Sequence, residues 1–200
     1  MDNTQRLIEL FKEFPGIGPR QAKRFVYFLL NRNQGYSADL SRLISEVRST
    51  VHACDTCFRF FPNGTNKTCS ICRDDTRENT LMLVSQDVDF ENIEKTKFYK
   101  GYYFVLGGSI PILEKNPEKR IRQKELTQTL QDKIKNGLTE VILALNYNPE
   151  GENTLTYLKE TIEREFPTLK ISTLGRGLST GTELEYSDSD TIKNALKNRQ

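Results

Sequence analysis

The stretch EVILALNYNPEGENTLTYL, residues 140–158, decides the fold class of this chain. Its first seven residues, EVILALN, contain a five-residue apolar run typical of a buried strand, and a helical pattern follows over 152–166. Glu150 and Glu152 lie between the two, separated by one glycine. The stretch therefore predicts a strand, a loop and a helix, with an acidic pair at the carboxyl end of the strand, where parallel sheets usually bind ligands.

Similar apolar runs occur elsewhere in the same half of the chain. They are TLMLVS at 80–85, YYFVLG at 102–107 and LKISTL at 169–174. Helical patterns around 87–95 and 117–135 separate them. Such alternation predicts a mostly parallel sheet with helices on both faces, and the tail is predicted to add a strand and a last helix.

The N-terminal part shows helical spacing instead. Apolar residues recur at that spacing in three segments: Leu7, Leu10, Phe11 and Phe14; Ala22, Phe25, Val26, Leu29 and Leu30; and Leu40, Leu43, Ile44, Val47 and Val51. Ser37 is the predicted N-cap of the third helix. We expect a helix, a tight turn, a second helix and then a third.

The turn between the first two helices, in FPGIGPRQAKRF, has the form of a helix-hairpin-helix motif. Gly16 and Gly18 allow the backbone to approach a phosphate, and Pro19 suits the first position of a helix whose N-terminus attracts anions. Three basic side chains follow, Arg20, Lys23 and Arg24. The motif predicts DNA binding through phosphates, with little sequence preference and strong salt dependence. The alternative is a plain αα-hairpin with a solvated basic face.

Four cysteines form two pairs, each with two residues between its members. They are Cys54 and Cys57, then Cys69 and Cys72. Two such pairs can enclose one tetrahedral zinc ion and leave no position open for substrate, so the predicted role of zinc is structural. Redox dithiols and free buried cysteines are the alternatives. His52 lies nearby, but four thiolates do not require it.

The acidic pair raises the question of a second metal. Glu150 and Glu152 could share a magnesium ion for phosphoryl chemistry, although acids also suit the start of a helix. Sites of this kind normally include a third acid at the end of an earlier strand, where this chain has Ser85. Serine supplies neither a carboxylate base nor an anionic ligand at neutral pH, which argues against magnesium and against catalysis.

Composition narrows the class of protein further. The formal net charge of the 200 residues is +2, and residues 1–52 hold eight basic and five acidic side chains, so the positive excess lies at the N-terminus. No apolar run approaches the roughly 18 residues that span a bilayer, and the start does not resemble a signal peptide. We therefore expect a cytoplasmic protein without membrane contact, whose thiols stay reduced.

These features predict a multidomain α+β chain. Its expected parts are a helix-hairpin-helix DNA-binding region at 1–52, a four-cysteine zinc module at 53–78, an α/β domain at 79–175 and a C-terminal assembly segment at 176–200.

The order of these parts resembles the RecR family of bacterial recombination mediators over essentially the whole chain. The most specific segments are FPGIGPRQAKRF, the paired cysteines continuing into CRDDTR, YYFVLGG, EVILALNYNPEGENT and RGLSTGTELEY. The resemblance implies that residues near 79–175 form a Toprim domain, the fold named for topoisomerases and primases. By position, Arg20, Lys23 and Arg24 match the family's basic residues, the four cysteines its zinc ligands, and Glu150 and Glu152 its Glu-Gly-Glu.

The resemblance also implies a function and partners. RecR proteins bind single- and double-stranded DNA together with RecO and RecF, and help RecA replace single-stranded DNA-binding protein at gaps. They assemble as homodimers or ring-shaped homotetramers, associate with the nucleoid when on DNA, and are not credited with cleaving, joining or priming it.

Three positions depart from the family pattern. Ser85 stands where a glutamate is usual, the loop FRFFPNGTNKT between the cysteine pairs is longer, and Pro149 replaces a common valine. Phe58, Phe60 and Phe61 in that loop are predicted to pack against the zinc module, with base or partner contact as the alternative.

Three hypotheses remain. The favoured one is a non-enzymatic DNA-binding mediator. Its rival is a magnesium-dependent Toprim enzyme, although a strand-breaking one also needs a tyrosine nucleophile and nothing singles out one of the eight tyrosines. A transcription-associated zinc-ribbon protein would explain only the cysteines.

Overall fold

The computed structural model describes residues 2–62, 64–178, 180–181 and 183–198. The chain divides into two compact units, residues 1–52 and residues 53–200. Among the described residues, no helix has both the length and the apolar character needed to cross a bilayer.

The first unit consists of helices α1 (Asn3–Lys12), α2 (Pro19–Leu30) and α3 (Gln34–Thr50). Helices α1 and α2 pack through an edge-to-face contact between Phe11 and Phe25, whose ring centroids are 5.7 Å apart. Ala22 and Val26 of α2 are buried beside this contact. The predicted N-cap at Ser37 is wrong, because the Asn33 side chain accepts a hydrogen bond from the Tyr36 amide at 2.8 Å and starts α3 four residues earlier.

A small sheet of two strands, β1 (Val51–Ala53) and β2 (Phe60–Pro62), lies where the first unit passes into the second. The remaining strands are β3 (Thr80–Val84), β4 (Tyr102–Val105), β5 (Glu140–Ala144) and β6 (Lys170–Thr173). The helices are α4 (Asp87–Lys95), α5 (Gln123–Lys135), α6 (Pro149–Glu165) and α7 (Ser189–Lys197). In the part of the chain that the structure describes, short 3₁₀ turns span Ile71–Arg73, Pro117–Lys119 and Leu184–Tyr186.

The four long strands form one parallel sheet in the order β4-β3-β5-β6. Leu83 of β3 lies opposite Phe104 of β4 on one side and Leu143 of β5 on the other. The predicted parallel sheet is therefore confirmed, with β3 and β5 at its centre. Their carboxyl ends, at Val84 and Ala144, lie side by side.

Each face of the sheet has its own hydrophobic cluster, because side chains alternate along a strand. On one face, residues of the sheet pack against α5 and α6. The sheet residues are Leu81, Leu83, Phe104, Val141 and Leu143, and the helix residues are Leu126 and Leu130 of α5 and Leu158 and Ile162 of α6. On the other face, Met82, Val84, Tyr103 and Val105 pack against Phe90 of α4 and against Cys54, Cys57, Cys69 and Ile71. The cysteines therefore share a core with the sheet.

The chain beside Cys57 also covers the edge of the sheet at β4. The Val105 amide donates a hydrogen bond to the Cys57 carbonyl at 2.8 Å. The next residue, Phe58, has a φ of 61°, a left-handed conformation uncommon for non-glycine residues. Its ring reaches the α5 face of the sheet, where it packs edge-to-face on Phe104 at 5.3 Å.

The tail differs in part from its prediction. The predicted last helix is present as α7, whose N-cap is Asp188. In place of the predicted strand, the described residues between 176 and 188 hold only the 3₁₀ turn. Leu184 and Tyr186 of that turn are exposed, so their side chains bury no apolar surface that would favour an extended strand.

Candidate nucleic-acid interface, metal centre and acidic pair

The turn between α1 and α2 has the geometry that an approaching phosphate requires. Gly16 has a φ of 74°, which glycine adopts without steric cost. Gly18 is the N-cap of α2 and Pro19 its first residue, so the first amides of the helix lack a side-chain cap. Apart from the glycine itself and its two chain neighbours, no described heavy atom lies within 4 Å of the Cβ position that Gly16 or Gly18 would carry. The turn is open to a ligand.

The three predicted basic residues follow this turn and are all exposed on α2. Arg24 lies 3.5 Å from the Gln21 side chain, a contact within one helical turn. The Lys23 ammonium lies 5.8 Å from the centroid of the Tyr27 ring. The structure thus brings Arg20, Lys23 and Arg24 together with the glycine turn in one unit. Their contact with DNA stays a prediction.

The four cysteine sulfurs lie within 4.8 Å of one another, and those of Cys57 and Cys69 are 3.7 Å apart. Tetrahedral thiolates about 2.3 Å from a zinc ion are separated by roughly 3.8 Å, so the spacing fits a metal ion. The Cys69 amide donates to the Cys54 sulfur at 3.3 Å, which stabilises a thiolate. Cys54, Cys57 and Cys69 are buried and Cys72 is half-buried. The group could hold one metal ion.

Hydrogen bonds among the four thiols shift their pKa values in opposite directions, down for Cys54 and Cys69 and up for Cys57 and Cys72. Hydrogen bonding from the other thiols, foremost that of Cys57, holds the pKa of Cys54 far below its usual range. Lys133 of α5 lies near this group, with its ammonium 3.4 Å from the centroid of the Tyr102 ring. Burial lowers the pKa of Lys133, while the charges of Cys72 and Cys57 act in the opposite direction.

The acidic pair lies inside the first turn of α6, because that helix begins at Pro149 and not at residue 152. The Asn148 side chain caps the helix by accepting a hydrogen bond from the Gly151 amide at 2.8 Å. A Cβ at Gly151 would lie 1.9 Å from the Asn146 carbonyl oxygen, so this glycine permits close packing of the chain on itself. Proline at the first helical position and acids in the first turn both favour this start.

Of the two glutamates, Glu152 already has a cationic partner. Its carboxylate lies 2.5 Å from the Arg176 guanidinium, and that group also stacks over the Tyr147 ring at 4.2 Å. The Tyr147 hydroxyl donates to the Leu174 carbonyl at 2.6 Å, and the Asn198 amide donates to the Arg176 carbonyl at 2.8 Å. These contacts hold the segment after β6 against the acidic pair. Glu150 is exposed.

The end of the neighbouring strand β3 does not complete a cation site. Ser85 is buried, and its Oγ has no hydrogen-bond partner among the described residues. Asp87 accepts a hydrogen bond from the Phe60 amide at 2.7 Å, and Asp89 accepts one from the Gln86 amide at 3.0 Å as part of the cap of α4. Both acids therefore have structural partners.

The three phenylalanines of the long cysteine loop have different surroundings. Phe61 packs with the cluster that contains the cysteines, as predicted, whereas Phe58 packs on the opposite face of the sheet. Phe60 is 58% exposed. The prediction that all three pack against the cysteine module is therefore correct only for Phe61.

Two residues near these sites escaped the sequence reasoning. Arg176 is 24 positions from Glu152, and no periodic pattern links them. Lys133 lies in an ordinary amphipathic helix, and only its partial burial distinguishes it from the exposed lysines of α5. In contrast, a signal for Tyr27 was present, because Tyr27 is four residues after Lys23 and therefore on the same face of α2.

Comparison with known proteins agrees with this arrangement of modules. A family model described as RecR, helix-hairpin-helix matches residues 4–48, one described as Toprim domain matches residues 79–174, and one described as RecR, C-terminal matches residues 177–200. These three regions include the glycine turn, the parallel sheet with the acidic pair, and α7. The fold therefore joins a helix-hairpin-helix unit to a Toprim domain.

Curated relatives match along nearly the whole chain. Recombination protein RecR of Bifidobacterium adolescentis is 36% identical over 199 residues, covering 98% of this chain and 94% of the relative. The protein of the same name from Gloeobacter violaceus is 36% identical over 197 residues, covering 98% and 95%. That from Cereibacter sphaeroides is 34% identical over 199 residues, covering 99% and 96%. The chain belongs to the RecR family.

Proposed function

We propose that this chain is a DNA-binding mediator of recombinational repair that carries out no reaction of its own. Its relatives are named recombination proteins, and its glycine turn offers free helix amides beside three exposed basic side chains. That open, basic turn is the observation that carries the proposal. Contacts of this type address phosphates, so binding is expected to be independent of sequence.

In this proposal the metal in the cysteine group is zinc, one ion per chain. Four thiolates in a compact, mostly buried arrangement suit zinc, which in such sites contributes to folding. Zinc would hold together the two cysteine pairs, which pack in the hydrophobic cluster on one face of the sheet. Cys54, Cys57, Cys69 and Cys72 would be its ligands.

The acidic pair is proposed as a docking element and not as a catalytic centre. Ser85 cannot replace a metal-binding carboxylate, and the Arg176 guanidinium occupies one side of Glu152. Glu150 remains exposed and can contact a basic partner surface. Magnesium therefore has no part in the proposed function.

The finer role follows the family resemblance. We propose that the protein acts with RecO and RecF in the cytoplasm, at the nucleoid when on DNA, to promote RecA loading at gaps covered by single-stranded DNA-binding protein. The chain would assemble as a homodimer or as a ring-shaped homotetramer that encircles the DNA. Leu43, Ile44 and Val47 form an apolar stripe on α3 that is 45–62% exposed, which supports self-association.

The experiment that tests DNA binding removes charge beside the turn. Lys23→Ala with Arg24→Ala should weaken binding to every DNA sequence and reduce the slope of log affinity against log salt by about 0.7–0.9 for each lost phosphate contact. Lys115→Ala with Lys119→Ala, which removes two exposed charges from the second unit, is the matched control. Unchanged affinity and slope in the first variant would show that the hairpin does not bind DNA.

The competing enzyme hypothesis has a separate test. Supercoiled and nicked DNA incubated with the protein and magnesium should remain unchanged. Cleavage or religation that is lost on Glu150→Ala would overturn the non-enzymatic role.

A further inference from the structure

We propose that α2 and the start of α3 carry a stacking site for unpaired bases of single-stranded DNA, formed by Tyr27, Phe28 and Tyr36 together with Arg32. These four residues are called the aromatic patch below. The inference rests on the proposed DNA binding of the glycine turn and deepens it, because it specifies which form of DNA this unit recognises.

The aromatic patch is not required for the core of its unit. The buried side of α2 consists of Ala22 and Val26, with Phe25 packed on Phe11 of α1. Tyr27 is 49% exposed and Phe28 is 45% exposed. Both rings therefore lie outside the buried side of α2.

The helix places these rings in line with the phosphate-binding turn. Residues four apart lie on the same side of an α-helix, so one row contains Arg20, Arg24 and Phe28, and a second contains Lys23 and Tyr27. At 1.5 Å per residue, Phe28 lies roughly 12 Å from Arg20 along the axis. A strand whose phosphates contact the turn can therefore extend over the rings.

Contacts within the aromatic patch orient the rings. The Arg32 guanidinium lies 4.3 Å from the centroid of Phe28 and 5.8 Å from that of Tyr36. Phe28 and Tyr36 meet edge-to-face, with centroids 6.1 Å apart and an interplanar angle of 81°. Tyr36 is itself 45% exposed. The arrangement provides ring faces and an arginine plane, both of which stack on bases in single-strand sites.

Charge identifies the occupant as a polyanion. Residues 15–38 contain four basic side chains, Arg20, Lys23, Arg24 and Arg32, and no acidic one. A purely apolar partner would not require this uninterrupted positive stretch. A strand of nucleic acid supplies both phosphates for the basic residues and flat bases for the rings.

Stacking distinguishes single strands from duplexes. Bases in a duplex already stack on their neighbours, whereas unpaired bases expose their faces to aromatic side chains. Stacking is also independent of counterion release, which governs the salt dependence of phosphate contacts. Loss of the rings should therefore lower single-strand affinity at all salt concentrations, and loss of the basic residues should lower the salt slope.

The test replaces the rings and keeps apolar volume: Tyr27→Leu with Phe28→Leu in the full chain. Affinities for a thymidine oligonucleotide and for a blunt duplex are measured over a salt series, together with the fluorescence of an oligonucleotide containing 2-aminopurine. We expect the double variant to bind the single strand at least about 5-fold more weakly, with an unchanged salt slope. Duplex affinity should stay within about 2-fold, and quenching of 2-aminopurine by the parent protein should be lost. Tyr186→Leu, which removes a 76% exposed ring in the second unit, is the control.

The outcomes separate this inference from the proposed function. If Lys23→Ala with Arg24→Ala weakens binding but the leucine variant binds both DNAs normally, the stacking site is wrong and phosphate binding stands. Equal losses on both DNAs would also overturn it. A changed mass in solution for the leucine variant would assign the aromatic patch to contact between subunits instead. If neither variant affects binding, the proposed DNA-binding turn itself fails.

Discussion

The turn between α1 and α2 in the first unit and the start of α6 in the second unit both depend on glycine, but for opposite reasons. In the turn of the first unit, a side chain at Gly18 would meet no described atom within 4 Å. At the sheet end of the second unit, a side chain at Gly151 would collide with the Asn146 carbonyl at 1.9 Å. One glycine leaves room for a ligand, and the other allows the chain to pack on itself.

The charged groups at the two places show the same contrast. The basic residues after the turn are exposed, whereas Glu152 is paired with Arg176 and the neighbouring strand ends in a buried serine. An acidic pair on a Toprim fold therefore does not by itself indicate a reaction. The partners that the chain already supplies decide how much of the site remains for a ligand.

The largest effect that would sharpen this contrast is loss of two of the proposed metal ligands. Cys57→Ser with Cys69→Ser should lower the free energy of unfolding of the second unit by more than about 4 kcal/mol, because the cysteines form part of one face of its core. Hydrogen exchange should show loss of protection in β3 and β4, with protection of α2 retained. Ser70→Ala, an exposed position in the same loop, should change neither.

Equal loss of protection in α2 would contradict the division of the chain into two compact units. Equal protection of β4 in variant and parent would show that the cysteine group does not support the sheet.

A smaller effect should follow from adding one methyl group to Gly151 or, in a separate variant, to Gly18. Gly151→Ala should cost about 3 kcal/mol, because the backbone around Asn146 must move. Gly18→Ala should cost less than about 1 kcal/mol, since only the preference for glycine at an N-cap is lost. DNA affinity should show the opposite order, falling more for Gly18→Ala than for Gly151→Ala. Denaturant titration and a DNA-binding measurement on both variants check this, and a reversed order in either would break the comparison.

The smallest effect concerns the ion pair between Glu152 and Arg176. Arg176→Gln should lower stability by no more than about 1 kcal/mol, because both side chains are partly exposed. It should also loosen the segment after β6, so that proteolysis near residues 174–178 becomes faster. Arg164→Gln, whose contact with Glu165 is 4.0 Å, is the control. If the digestion rates of the two variants are the same, Arg176 does not hold the segment in place.

Much of the fold could be predicted from local patterns. All four strands of the parallel sheet fall within the predicted apolar runs. Strands β3, β4 and β5 are recognisable by composition because they are largely buried, whereas β6 is only half-buried. Helix starts were less certain, since Asn33 and Ser37 are both good caps and only the geometry shows that Asn33 bonds the Tyr36 amide. Pro149 belongs to α6 and does not precede it.

Contacts between distant residues could not be predicted in this way. The spacing of the cysteines predicts that they surround an ion. It does not predict that the Cys57 carbonyl accepts a hydrogen bond from the Val105 amide in the sheet. Similarly, the pairing of Arg176 with Glu152 depends on how the chain returns after β6. Such contacts depend on tertiary packing, for which residue spacing carries no signal.

The cysteine loop has a further consequence for solubility. Edge strands expose unpaired amides and carbonyls, which can recruit other chains into continuous sheets. In this protein, the outward amide of Val105 on β4 is satisfied by Cys57, and Phe58 covers Phe104 next to it. Oxidation or chelation that released the loop would uncover this apolar edge. We therefore expect the metal-free chain to aggregate through β4, so that the cysteine group protects the sheet from self-assembly as well as holding it together.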